Sequence, residues 1–373
     1  VIVGVPKETA EHEQRVGLVP ETVSKLIDKD LDIRIETGAG LASSYLDAAY
    51  EEAGATVISD RDQLFSESDI LISIQTPPEG DISKMKARST LICFLWALQN
   101  DQMVEFLKEK DITAMGMDAI PRISRAQSMD ALSSMSSIAG YKAALIGANE
   151  LDRYLPMMMT AAGTIAPAKV LVLGAGVAGL QAIATTKRLG AVVEAFDIRP
   201  EVKEQVESLG ADFVEIPDLD EDSETEEGYA KELAEDEQER QRQVIHQHAK
   251  KSDIIITTAL IPGKPAPLLV TKEMVHDMHA GAVIVDLAAE QGGNCELTEA
   301  GQTKVVNEVK IIGPLNIPSM MAYHASQLYS KNMLALLNHL LKDGKPEFNF
   351  EDEITLKTTI THKGEIISPM LKE

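Results

Sequence analysis

The chain is expected to be an α/β protein: two Rossmann-like, doubly wound parallel-sheet domains joined by long helices, with an interdomain cleft. Three observations predict it. Short β-branched runs alternate with helical patterns, and this rhythm occurs twice along the chain. A glycine-spaced turn stands between an apolar run and a helical stretch near residue 174. Two long helical runs flank the second repeat.

In chain order, the first repeat supplies strands at Val1–Val5, Ile33–Glu36, Thr56–Ile58, Ile70–Gln75, Leu91–Leu95 and Ile112–Met117. Amphipathic stretches such as Glu21–Asp30 and Gln102–Lys110 lie between them. A helical run from about Gln127 to Leu155 follows, and Pro156, Gly163 and Pro167 interrupt the pattern after it. The second repeat opens at Val170 and continues through Val192–Phe196, Phe213–Ile216, Asp253–Thr258, Ala282–Leu287 and Lys310–Gly313, six strands in all. A further helix is expected over Met320–Leu341, then a hairpin of Thr355–Thr361 and Glu365–Ser368 turning at Lys363-Gly364. The expected division is residues 1–126 with 325–373 as one domain and residues 127–324 as the other.

Composition narrows the function. At 373 residues and a net charge of −24, the chain repels nucleic-acid phosphates. No apolar run approaches the roughly 18–20 residues of a membrane helix, so direct membrane insertion is not expected. Cys93 and Cys295 stand far apart, which argues against a disulfide framework or a cysteine metal site and fits a reducing, intracellular compartment. His246 and His248, two apart on a helical stretch, point to different faces, so no metal is expected there. Met157–Met159 are expected in core or interface packing. The acidic stretch Asp218–Glu239 reads first as a solvated loop running into a charged helix.

The glycine turn carries the most chemistry. Gly174-Ala-Gly176-Val-Ala-Gly179 follows an apolar run and opens a helix, and Asp197 closes the next strand about 20 residues on. That is a dinucleotide-binding fingerprint in its structural context. Gly174 allows the tight turn, Gly176 admits a pyrophosphate, and Gly179 brings helix and strand together. Asp197 would accept from the adenosine ribose hydroxyls and repel a 2′-phosphate, favouring NAD(H) over NADP(H).

A second cluster, Pro121-Arg122-Ile-Ser124-Arg125-Ala-Gln127-Ser128-Met-Asp130-Ala-Leu-Ser133-Ser134, holds more polar groups than a helix start needs. This segment resembles the signature loop of the NAD(H)-binding component of proton-translocating nicotinamide nucleotide transhydrogenase. Matches to that family continue through Thr160-Ala-Ala-Gly163, the glycine turn, Lys203–Val206, Gly228–Lys231, Thr257–Pro267 and Gly292–Cys295.

The resemblance implies that Arg122, Gln127, Asp130 and Ser133 surround the nicotinamide and its ribose. It implies that Val177, Asp197, Ile198 and Arg199 contact the pyrophosphate and adenosine ribose, that Leu260 lies near the adenosine, and that Gly228 and Tyr229 belong to a mobile lid. It further implies NADP(H) on a separate partner domain, membrane-spanning partner subunits that move protons, a homodimer, and a cytoplasmic chain attached through its partners to the inner face of the plasma membrane.

The competing relative is alanine dehydrogenase, similar in plan and in the opening Pro6-Lys-Glu…Arg15-Val pattern. That enzyme needs a lysine and a histidine where this chain carries Gln75 and Trp96, neither of which moves protons near neutral pH. Arg15 is accordingly expected to serve as a structural ion-pair partner. Relatives carry an aromatic residue or His followed by a polar residue where this chain has Gly313-Pro314-Leu315-Asn316.

Overall fold

The computed structural model describes residues 1–215, 235–261, 263–342 and 344–372. It forms two compact units, one of residues 1–135 with 318–373 and the other of residues 136–317.

In the first unit, β1 (Ile2–Val5), β2 (Asp32–Glu36), β3 (Thr56–Ile58), β4 (Ile70–Gln75), β5 (Thr90–Phe94) and β6 (Thr113–Gly116) pair in parallel in the order β6-β5-β4-β1-β2-β3. The chain winds one way from β1 to β3 and the other way from β4 to β6. The point of reversal lies between β1 and β4. The strands are apolar on both faces, as a parallel sheet covered by helices requires; Leu71, Leu91, Cys93 and Ala114 pack with Phe65, Val104 and Leu107 in one buried cluster.

The C-terminal residues extend this sheet. Thr359–His362 pairs antiparallel with β6, and Glu365–Ile366 pairs antiparallel with it in turn. The turn at Lys363 (φ 50°) and Gly364 (φ 74°) places both central residues in the left-handed region, the two-residue geometry that suits a twisted hairpin. The first arm starts later than expected. Residues 353–358 form a helix, because Asp352 accepts from the N–H groups of Ile354 and Thr355 and so starts a helical turn where the β-branched composition suggested a strand.

In the second unit, a hairpin of β7 (Met158–Thr160) and β8 (Gly163–Ile165) precedes the sheet. The sheet contains β9 (Lys169–Leu173), β10 (Val192–Phe196), β11 (Asp212–Val214), β12 (Ile254–Thr257), β13 (Val283–Asp286), β14 (Thr303–Val306) and β15 (Val309–Ile312), in the order β11-β10-β9-β12-β13-β15-β14. All neighbours are parallel except β14, which runs antiparallel on the edge. The β7–β8 hairpin and β14 were not legible in the sequence pattern, because exposed, short strands carry no apolar run.

Alternation along β9 builds two cores: Val170 and Val172 pack on one face with Ile183 and Val193, Leu171 and Leu173 on the other with Ile245 and Ile284. The helix Ala131–Glu150 begins in the first unit and ends in the second. It stops at Glu150, short of the expected Leu155; Leu151 and Leu155 continue as irregular chain that still buries both side chains. The methionines depart from core packing: Met157 and Met159 are 58% and 78% exposed on the β7–β8 hairpin.

Candidate nucleotide-binding site

The glycine turn sits at the carboxyl end of β9, where the second sheet reverses its winding between β9 and β12. Ligands of doubly wound sheets bind at such crevices. Gly174 has φ of +98°, and a Cβ on it would stand 2.7 Å from the Thr258 hydroxyl. A Cβ on Gly179 would stand 1.8 Å from the Gly174 carbonyl oxygen, so helix and turn touch through backbone. Gly176 differs from both, since a Cβ there meets no atom within 4 Å.

Gly176 is the N-cap of the helix Val177–Arg188, and no side chain caps it. The first turn holds no acidic residue, and the last holds Lys187 and Arg188, which complement the helix dipole. Unpaired N–H groups therefore face an open cradle, as a pyrophosphate requires. Val177 and Leu260 beside this turn are exposed. The residues present fit a dinucleotide.

Asp197 is buried at the end of β10, and its four acceptor positions are all engaged. The Ala175 N–H donates to Oδ2 at 2.7 Å, and the Arg199 N–H donates to Oδ1 at 2.9 Å. The Arg199 guanidinium donates to both oxygens, at 2.9 and 2.8 Å. A carboxylate offers about four lone-pair sites, so a ribose hydroxyl can bond here only as Arg199 yields one. Ile198 lies between these two residues on the same turn.

In the first unit, Arg122 and Gln127 are exposed at the 3-10 turn Ser124–Met129. Asp130 and Ser133 engage each other: Asp130 accepts the Ser133 N–H at 2.8 Å and the Ser133 hydroxyl at 2.5 Å, starting the helix Ala131–Glu150. Gly228 and Tyr229 lie outside the described residues.

Arg15 and Glu13 form a buried bidentate pair, at 2.7 and 2.6 Å, with side chains 3% and 0% exposed. The Gln75 amide donates to the same Glu13 at 3.0 Å. This matches the expected ion-pair role of Arg15. Trp96 has a left-handed backbone (φ 51°), held by Asp118, whose carboxylate accepts the N–H groups of Leu95 and Trp96. His246 and His248 each meet a carboxylate, Asp277 and Glu194 respectively. No described helix is long and apolar enough to cross a membrane.

Three groups escaped the sequence reading. Asp286, fully buried at the end of β13, accepts from the Thr257 and Thr298 hydroxyls and from the N–H groups of Ala288 and Cys295. Asn294, also fully buried, donates to the carbonyls of Ala259 and Pro267 and accepts the Ala259 N–H, bracing both ends of the loop that carries Leu260. Glu8 in the first unit turns its carboxylate inward onto the N–H groups of Ile74 and Gln75, at 2.6 and 3.4 Å. Burial, reinforced by the nearby Glu13 charge, pushes it up from 4.5 to about 7. An acidic residue directly after an apolar strand is the signal that Asp286 offered.

Comparison with known proteins agrees with this geometry. Residues 4–139 match the alanine dehydrogenase/PNT N-terminal domain, and residues 143–369 match the alanine dehydrogenase/PNT C-terminal domain. The chain is 49% identical to the first of the polypeptides that make up the NAD(P) transhydrogenase alpha subunit of Rhodospirillum rubrum, over 99% of its own length and 98% of that protein's. A transhydrogenase crystal structure from Sinorhizobium meliloti superposes with a TM-score of 0.90 at 43% identity, covering 98% of this chain and all of that one. Alanine dehydrogenase of Mycolicibacterium smegmatis is 28% identical over 99% of this chain and 95% of that protein. The chain therefore belongs to the alanine dehydrogenase/PNT family and stands within it among the alpha subunits of NAD(P) transhydrogenase.

Proposed function

We propose that this chain is the NAD(H)-binding subunit of a proton-translocating NAD(P) transhydrogenase. The observation that carries the reading is the open, uncapped Gly176 cradle beside Asp197, in a chain similar along its whole length to transhydrogenase alpha subunits. NAD(H), when bound, supplies the hydride donor or acceptor. The helix N-terminus at Val177 binds the pyrophosphate, and Asp197, with Ile198 and Arg199 on the same turn, takes the adenosine ribose. Leu260 flanks the adenosine, and Gly228 and Tyr229 close over the nucleotide. Arg122, Gln127, Asp130 and Ser133 orient the nicotinamide and its ribose.

Hydride transfer between two nicotinamides needs orientation and exclusion of water and no protein acid or base. The residues at positions 75 and 96 suit that demand: Gln75 is bonded to Glu13, and Trp96 carries no titratable group. NADP(H) is held on a partner domain, and membrane-spanning partner subunits couple transfer to proton movement and hold the chain at the inner face of the plasma membrane. The exposed Met157 and Met159 support a homodimer.

The test is rapid-mixing hydride transfer from NADH to NADP⁺ with an NADP(H)-binding transhydrogenase component, beside alanine-dependent NAD⁺ reduction by this chain alone. Transfer only with the partner is expected. Reduction of NAD⁺ by alanine without a partner would replace this reading with an amino-acid dehydrogenase. Arg122→Ala is expected to slow transfer by about tenfold or more while leaving NADH affinity nearly unchanged. Equal losses in both would remove the orienting role.

A further inference from the structure

The turn Ser124–Met129 is held from the C-terminal segment of its own unit by two contacts of unequal character. Arg125 donates to Asp352 at 3.0 Å, with the arginine 62% exposed. Such a pair is screened and contributes little. The other contact is buried: the Asn332 amide N–H, on the helix Ala322–Leu340, donates to the Ser128 carbonyl at 2.9 Å.

Asn332 is only 6% exposed, and its Oδ1 is buried with no hydrogen-bond partner. A buried acceptor without a partner destabilises the fold, and an apolar side chain of similar size would avoid that cost. Ser128 is exposed, so its carbonyl can turn to water if the asparagine is removed. Stability alone therefore favours leucine at this position. What leucine cannot supply is the donor that fixes the carbonyl midway between Gln127 and Met129.

We propose that Asn332 is a positioning residue for hydride transfer: its single hydrogen bond fixes the turn that carries Gln127 and leads into Asp130. The proposal rests on the reading that residues 122–133 orient the nicotinamide. Small displacements of an orienting group lower the rate far more than they lower binding.

The experiment compares Asn332→Leu, Asn332→Asp and Gln127→Ala with the unaltered chain, each as the full chain with the NADP(H)-binding component. Three quantities are read: the hydride-transfer rate, the NADH dissociation constant and the thermal midpoint. Asn332→Leu is expected to keep or raise the midpoint, hold NADH affinity within about twofold and slow transfer about tenfold. Asn332→Asp, which keeps the shape and loses the donor, is expected to be slow as well.

A lowered midpoint with an unchanged rate in Asn332→Leu, or a normal rate in Asn332→Asp, overturns the proposal. A slow Gln127→Ala beside normal Asn332 variants overturns the role of Asn332 alone. Normal rates in all three overturn the orienting loop and this proposal together.

Discussion

The two units carry the same sheet order, β3-β2-β1-β4-β5-β6 in the first and β11-β10-β9-β12-β13-β15 in the second, and so the same crevice where the winding reverses. What fills the crevice differs. After β9 the chain turns on Gly174 straight into a helix whose N-terminus is uncapped and open. After β1 it runs through Pro6-Lys7-Glu8, with the next helix starting only at Pro20, and Glu8 lays its own carboxylate on the N–H groups of β4. One crevice leaves anion-binding N–H groups for a ligand; the other satisfies them internally. Topology offers the site, and loop chemistry decides whether a dinucleotide can use it.

The sharpest way to break this comparison is Gly179→Ala. A methyl 1.8 Å from the Gly174 oxygen forces helix and strand apart, and neither backbone can give way cheaply. The expected loss is about 3 kcal/mol or more of the second unit's stability, read by denaturant unfolding, with NADH binding lost as well. A stable variant with normal binding would show that the close approach is dispensable.

Asp197→Ala acts on the same crevice through chemistry. It removes the ribose acceptor and frees Arg199, so NADH binding is expected to weaken about ten- to a hundredfold while the preference over NADPH shrinks. Titration of both nucleotides measures it. An unchanged preference would move discrimination away from Asp197.

The first unit is tested by Glu8→Gln. The folded value of about 7 lies above the ordinary 4.5, so Glu8 costs little near pH 4.5, where both states bind the proton, and its penalty grows as pH rises through 7. The variant is expected to gain about 2–3 kcal/mol relative to the unaltered chain between about pH 5 and pH 8. Parallel stability curves at the two pH values would mean that Glu8 is not buried as a charge.

The contrast between crevices also explains what was legible in the sequence. Strands buried on both faces, such as Ile70–Gln75 and Ile254–Thr257, announce themselves as β-branched runs, and the glycine turn is readable because each glycine answers a different steric demand. Short exposed strands such as Met158–Thr160 and Thr303–Val306 lack that signature. Hidden too were contacts between residues distant in sequence, Asn294 with Ala259 and Pro267 and Asn332 with Ser128, and the saturation of Asp197 by Arg199. Spacing reports local periodicity, whereas these bonds depend on tertiary packing and side-chain geometry.

The smallest expected effect separates fold from function most cleanly. Gly176 has φ of −74°, which alanine adopts without strain, and a Cβ there meets no protein atom within 4 Å. Replacing glycine by alanine at such a position reduces the freedom of the unfolded chain, so Gly176→Ala is expected to raise stability by about 0.4–1 kcal/mol. The same methyl projects into the space the pyrophosphate would occupy and should weaken NADH binding about tenfold, roughly 1.4 kcal/mol. Opposite signs in the two measurements would identify Gly176 as a residue kept for the ligand, in contrast to Gly179, where both losses go together. A stabilised variant with unweakened binding would place the pyrophosphate elsewhere and remove the distinction between the two crevices.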